Sequence, residues 1–343
     1  MRAMILRAPN APFELCNVPD PVPGPGEAVA RVIACGSGLT IQHIKAGRVA
    51  VPFPRIIGHE ITGEIVATGA GVRGIATGDG VTAYYYLNCG FCRDCLSQFE
   101  PLCENTRGQV GRNCDGGYAE YIKLPAHNFI KLPPQLDYKA HPAEVGVITD
   151  ALATPYKVLR RASVKAGETV AVFGAGGGLG MHQLMMANWA RARVIAIDVA
   201  RDKFDACRKA GADEVVDASN GGVAEALFEL TSGKGVDVAI DYVSSPTTLE
   251  AAAKALCKRG RLVTLGGAGK PFLASSADML MKELSLLGSR YVTRAEILET
   301  LDLVARREVW PIVSEIRPLE DAEALHAKLE RGEIIGRAAL LIG

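Results

Sequence analysis

The sequence predicts an α/β protein in two parts, a mostly β region followed by a doubly wound parallel sheet. Three observations carry this expectation. The chain has 343 residues, more than one hydrophobic core usually serves. Up to about residue 150, short Val/Ile runs are broken by Gly and Pro. After residue 165, apolar strand-like stretches alternate with helical ones at the spacing of βαβ units.

In the first region, "VPDPVPGPGEAVARVIA" and "ITGEIVATGAGVRGIATGDGVTAYYY" read as short strands joined by turns. The second region opens with a buried strand over Thr169–Phe173. A helix follows from about Gly178 to Ala192, then a strand over Arg193–Ile197 and a helix over "RDKFDACRKAGA". Further strands are expected at Val215–Val216, Val236–Asp241 and Arg261–Leu265, with helices around 223–230 and 247–258 between them. A sixth strand is expected near Leu286–Gly288. Residues 291–343 leave the alternation, and the closing "GRAALLIG" reads as a strand that returns to the first region.

Composition narrows the function classes. Lys and Arg number 38 and so do Asp and Glu, which leaves no electrostatic footprint for nucleic acid or an anionic membrane. No stretch reaches the ~18 unbroken apolar residues that a membrane helix needs. The opening "MRAMILRAPNAPFELC" meets polar residues and Pro too early for a signal peptide. A cytoplasmic protein is expected, so the nine cysteines are expected as thiols or metal ligands and not as disulfides.

"VFGAGGGLGMHQ" joins the first strand of the predicted sheet to its first helix. Glycines there let the backbone turn tightly and approach a pyrophosphate, which then meets the positive end of the helix. Counting back from Gly180, Gly177 and Gly178 fit a dinucleotide loop, while Gly174 falls one place early. Such a turn also serves packing alone. Asp198 adds weight, because it ends the second strand 18 residues after Gly180, near the ~20 expected of an acid that grips an adenosine ribose. Its carboxylate would repel a 2′-phosphate, so NAD is favoured over NADP, with Arg201 close enough to soften that preference. Lys203 either leans on the same ribose or is a plain surface lysine.

Cys89, Cys92, Cys95 and Cys103 follow C-x2-C-x2-C-x7-C. Thiolates at this spacing wrap one tetrahedral Zn²⁺, and four of them leave no open position, so this zinc is expected to be structural. Cys207 and Cys257 are expected as thiols on helices of the sheet region.

Four features in order make the chain resemble the zinc-type medium-chain dehydrogenases, the alcohol dehydrogenase family. They are "GHE" at 58–60, the four-cysteine lobe, "GAGGGLG" at 174–180, and Asp198 with Lys203. The resemblance implies a GroES-like catalytic domain over 1–152 with a zinc lobe at about 88–104. It implies a Rossmann domain over 153–290 and a return to the catalytic domain over 291–343, with the active site in the cleft between domains. It implies Gly174, Gly177, Gly178, Leu179 and Gly180 at the dinucleotide, Thr154 at the nicotinamide and Arg337 at the pyrophosphate. Tyr85 falls where the family places a pocket side chain. A homodimer or homotetramer acting on a small-molecule substrate is implied as well.

The family's catalytic zinc takes a cysteine, the GHE histidine and a third residue that is Cys, Asp or Glu. His59 matches the second and Asp150, in "DALATPY", the third. The first is the departure. Laid on the family's A-C-G-V-C-H-T-D-x-H, "ACGSGLTIQH" keeps Cys35, Gly36, Thr40 and His43 in register but puts Gly38 at the ligand cysteine and Ile41 at the supporting aspartate. The rival register makes Cys35 the ligand with Ser37 as a relay hydroxyl, and loses the match at His43. The metal would then rest on His59 and Asp150, with or without Glu60, or be missing. Read without the resemblance, His59–Glu60 is a hydrogen-bonded pair and Asp150 a helix N-cap.

With metal, the expected reaction is NAD-dependent interconversion of an alcohol, preferably secondary, with a ketone or aldehyde. Thr40 would pass the proton outward and His43 would be its final acceptor. Without catalytic zinc, the alternative is reduction of an α,β-unsaturated carbonyl, with Thr40 or Tyr85 as hydrogen-bond donor. A third reading is a dinucleotide-binding protein without catalysis, against which stand His59, Thr40, His43 and Asp150.

Overall fold

β-Branched runs split by glycine build the first unit of the computed structural model, which describes residues 1–266 and 269–343. This unit comprises Met1–Ala151 and Val292–Gly343; the second comprises Leu152–Tyr291.

In the first unit the strand Glu27–Ser37 is the longest, and nearly every residue of "EAVARVIACGS" is buried. It pairs antiparallel with Glu60–Thr68, with Tyr121–Pro125 and with Arg337–Leu341. Gly80–Ala83, Phe129–Lys131 and Val313–Pro318 complete a seven-stranded sheet. The closing "GRAALLIG" therefore does return to the N-terminal part as a strand. Its Ala338, Ala339 and Leu340 are fully buried, so the small side chains let it lie against Glu27–Ser37. A separate three-stranded sheet joins Arg2–Leu6, Phe13–Asn17 and Arg55–Ile56.

The second unit is a six-stranded sheet in which every pairing is parallel. Its spatial order is Glu214–Asp217, Arg193–Asp198, Thr169–Phe173, Val236–Asp241, Leu256–Thr264, Ser285–Gly288. In chain order that is 3-2-1-4-5-6, the dinucleotide-binding arrangement, with its switch point beside the first strand. Val170, Val172, Ile195, Val238 and Ile240 are fully buried in it, each worth about 1.5–3 kcal/mol of apolar burial. A parallel sheet covered on both faces needs such unbroken apolar strands.

Two local expectations fail. Cys257 lies in a strand, not a helix: the helix Pro246–Lys254 stops early and Leu256–Thr264 begins at once. Asp150 is no N-cap: it sits inside a π-helical turn, Ile148–Leu152, which follows the helix Pro142–Val147. Among the described residues no helix is long and apolar enough to cross a membrane.

Candidate active site

The register of the first unit's sheet gathers three of the candidate residues. Gly36 pairs with Glu60 on one side and with Ala339 on the other. Ser37 pairs with Ala338, so the next step along the two strands sets Gly38 level with Arg337. The helix Pro142–Val147 packs closely here, since a Cβ on its Gly146 would stand 2.9 Å from the Glu60 carbonyl oxygen. The π-helical turn that follows brings in Asp150. Widened turns of this kind are rare and recur at functional sites.

The result is a buried cluster of His59, Glu60, Asp150 and Arg337. Arg337 Nη2 donates to Asp150 Oδ2 at 3.0 Å and lies 3.0 Å from Glu60 Oε1. His59 Nε2 is 3.7 Å from the same Asp150 oxygen. The His59 ring leans on Tyr85, with centroids 4.3 Å apart. Burial is the main influence that pushes the Glu60 carboxyl up to about 8; Arg337 opposes it and Asp150 adds to it. Burial likewise pushes the Tyr85 phenol up to about 12, against the pull of Arg112. Glu60 Oε2 has no partner and points toward Gly36, where a Cβ would overlap it.

His59, Glu60 and Asp150 each offer a ligand atom within 4.8 Å of the others. A catalytic zinc nevertheless does not suit the pocket. Two of those oxygens already face the Arg337 guanidinium, and position 38 supplies no ligand. A Cβ there would overlap Arg337 Nη1 and stand 2.7 Å from its Cζ. Cys35 does not fill the gap. Its sulfur is fully buried, interacts with the Gly36 carbonyl and lies under Gly58 and Gly117, and it is not part of the ligand group. Among the described residues the arrangement therefore does not favour the register that makes Cys35 a ligand.

Thr40 is exposed in the first turn of the helix Leu39–Lys45. His43 follows one turn later, half-buried, and its Nδ1 accepts from Arg48 Nε at 2.7 Å. Burial first, and then the Arg48 charge, lower the His43 pKa. The Glu330 carboxylate pulls the other way. Arg337, the residue expected at the pyrophosphate, has its Nη2 against Asp150 and Glu60.

In the second unit the glycine turn follows the strand Thr169–Phe173. Gly174 has φ +72, a left-handed conformation that favours glycine. A Cβ on Gly180 would overlap the Gly174 carbonyl oxygen and stand 2.7 Å from Ala175 Cα, so the helix Gly178–Trp189 packs tightly on the strand only with glycine there. Gly177 is the residue before that helix, and a Cβ on it would meet nothing closer than 3.3 Å. Leu179 lies in the first turn, and Thr154 is buried in the helix Ala153–Ala162. Asp198 accepts from Gly176 N at 2.7 Å and from Ala200 N at 2.9 Å. Lys203 is buried, not a surface residue, and donates to the Gly176 carbonyl at 3.2 Å. Turn, helix end and acid together suit the pyrophosphate and ribose of NAD.

The four thiols of the lobe also come together. Cys89 Sγ and Cys95 Sγ are 3.9 Å apart, and Cys92 Sγ and Cys103 Sγ 3.8 Å. Sulfurs at ~2.3 Å around one tetrahedral zinc would stand about 3.8 Å apart, so the set suits that ion. The Cys92 and Cys89 amides and Asn88 Nδ2 each point at a lobe sulfur, as thiolates require.

A polar chain beside the pocket was not legible in the sequence. Ser37 Oγ bonds Tyr118 OH, which lies 2.9 Å from His326 Nε2. His326 Nδ1 is 2.6 Å from Gln42 Oε1, and Gln42 Nε2 donates to Glu330. Burial, then Lys45, lower the His326 pKa to about 3. No motif marks His326; only the three-dimensional pairing of its helix with Leu39–Lys45 does. Gly38 was the available signal for Arg337, because a glycine just past a strand end leaves room for a neighbour.

Two family models match the chain: "Alcohol dehydrogenase GroES-like domain" over residues 24–134 and "Zinc-binding dehydrogenase" over residues 178–306. An alcohol dehydrogenase of Geobacillus stearothermophilus is 33% identical, covering 99% of this chain and 98% of the relative. An NAD-dependent alcohol dehydrogenase of Sulfurisphaera tokodaii is 30% identical over 99% of this chain and 100% of the relative. The cobalt- and zinc-bound alcohol dehydrogenase structure from Pyrobaculum aerophilum is 28% identical, covers 99% of both chains and superposes with a TM-score of 0.88.

Proposed function

The chain belongs to the zinc-type medium-chain alcohol dehydrogenase family, and from that premise we propose how its own residues carry the reaction. It is an NAD-dependent oxidoreductase of alcohols and carbonyl compounds. The full-length likeness to alcohol dehydrogenases favours this over enone reduction and over binding without catalysis.

The preferred substrate is a secondary alcohol, oxidised to a ketone. The carbon gives a hydride to C4 of the nicotinamide, and the hydroxyl gives up its proton. His59 takes that proton, and Asp150 at 3.7 Å answers the imidazolium charge. That buried imidazole–carboxylate pair is the observation that carries the reading. Thr40 donates a hydrogen bond to the substrate oxygen, and Tyr85 packs against His59 and shapes the pocket. Residues 153–290 hold NAD through Gly174, Gly177, Gly178, Leu179, Gly180, Asp198 and Lys203, with Thr154 at the nicotinamide. Bound zinc at Cys89, Cys92, Cys95 and Cys103 cross-links the lobe. The protein works in the cytoplasm as a homodimer or homotetramer and does not bind nucleic acid, in keeping with its balanced charge.

Steady-state assays with primary and secondary alcohols, with NAD or NADP, test this. NADH formation fastest with a secondary alcohol and NAD is expected. No turnover of any alcohol or ketone, or a preference for NADP, would overturn it.

A further inference from the structure

We infer that Arg337 is the resident cation of the pocket, standing where a catalytic metal would need its ligands and keeping the metal out. The chain then carries one zinc, in the cysteine lobe, and none beside His59. The inference rests on reading this pocket as the reaction site only for its catalytic consequence. Metal content is measured without substrate, so the two readings fail separately.

Space is the first ground. Position 38 has no side chain, and a Cβ there would overlap Arg337 Nη1 and lie 2.7 Å from Cζ. Sheet register sets the two positions level, so the glycine and the arginine form one device: the missing side chain is what admits the guanidinium. The second ground is the donor set. Glu60 Oε1 and Asp150 Oδ2, two of the three ligands a metal would use, each lie 3.0 Å from Arg337 Nη2. The third is charge. The guanidinium stays protonated at any pH a protein survives, so a dication entering beside it would meet repulsion inside a buried site. What remains is the imidazole and the second oxygen of Glu60, too few ligands for zinc.

Arg337 thereby acts as a positioning residue. By holding Asp150 it fixes the carboxylate that faces His59, and it sets a permanent positive charge against that carboxylate without an exchangeable ion.

The test is metal stoichiometry of the full-length protein by elemental analysis, followed by cobalt titration read through the thiolate-to-cobalt charge-transfer band. Wild type is expected to hold one zinc per chain and take no cobalt beyond it. The Gly38→Cys/Arg337→Ala double variant is expected to take a second ion. Thermal melting supplies a second readout independent of metal. Gly38→Cys alone is expected to lower the melting temperature through the overlap, and adding Arg337→Ala is expected to restore part of the loss. Two zinc per wild-type chain, the second lost in Asp150→Asn, would overturn the inference. So would a double variant that folds and still holds one ion, or a Gly38→Cys variant as stable as wild type.

Discussion

Replacing Arg337 by Met removes the charge and keeps the stem. The magnitude follows from what it leaves behind. Asp150 Oδ2 loses a donor at 3.0 Å and Glu60 Oε1 its cation at the same distance, both in a site where Asp150 is 8% and Glu60 1% exposed. Breaking a buried pair costs about 3–5 kcal/mol because a charge is stranded. Glu60, already pushed up to about 8, escapes by protonating. Asp150 therefore dominates, and a loss of about 3 kcal/mol is expected. Urea unfolding in a Trp189→Phe background, where the remaining Trp310 reports the first unit, measures it. Glu330→Gln is the control: Arg48 and then Gln42 hold Glu330 down to about 2, but both ends of the Arg48–Glu330 pair are 45% exposed, so solvent screening limits the cost to about 1 kcal/mol. A loss in Arg337→Met no larger than in the control would refute the account of the cluster.

Gly180→Ala puts a methyl into the Gly174 carbonyl. NADH affinity, read by fluorescence titration, should fall at least roughly tenfold, the equivalent of about 1.4 kcal/mol; unchanged affinity would separate the turn from the cofactor. Cys95→Ser should take bound zinc from one per chain to none and expose the lobe to protease. His326 is neutral when folded, with its pKa at about 3 against an ordinary ~6.5. Stability should therefore fall as pH drops below about 6.5, by about 1.4 kcal/mol per pH unit, until pH 3. His326→Gln should remove one proton's share of that slope, and identical acid denaturation profiles for variant and wild type would count against a buried neutral ring. Asp198→Ala should raise the use of NADP relative to NAD.

The sequence made the second unit legible because a covered parallel sheet forces unbroken apolar strands, and five of the six begin and end within one residue of where their pattern places them. The cysteine lobe was legible because its ligands are close in sequence. Cys257 was misplaced because "LEAAAKALCK" continues a helical composition past Lys254, where pairing with Val236–Asp241 takes over. Of the pocket, His59, Glu60 and Asp150 were legible as types at the right spacing. The contact of Arg337 with Gly38 was not legible, since it depends on sheet register between segments about 300 residues apart in the chain. Cys35 was readable as a ligand until the strand turned its sulfur under Gly58 and Gly117.

The central claim, proton removal by His59 backed by Asp150, is met most directly by His59→Gln. The measurement is kcat for secondary-alcohol oxidation beside the NADH dissociation constant of the same preparation. The account predicts that kcat falls by roughly a hundredfold or more while NADH binds as in wild type. A variant that binds NADH normally and turns over at the wild-type rate would contradict it.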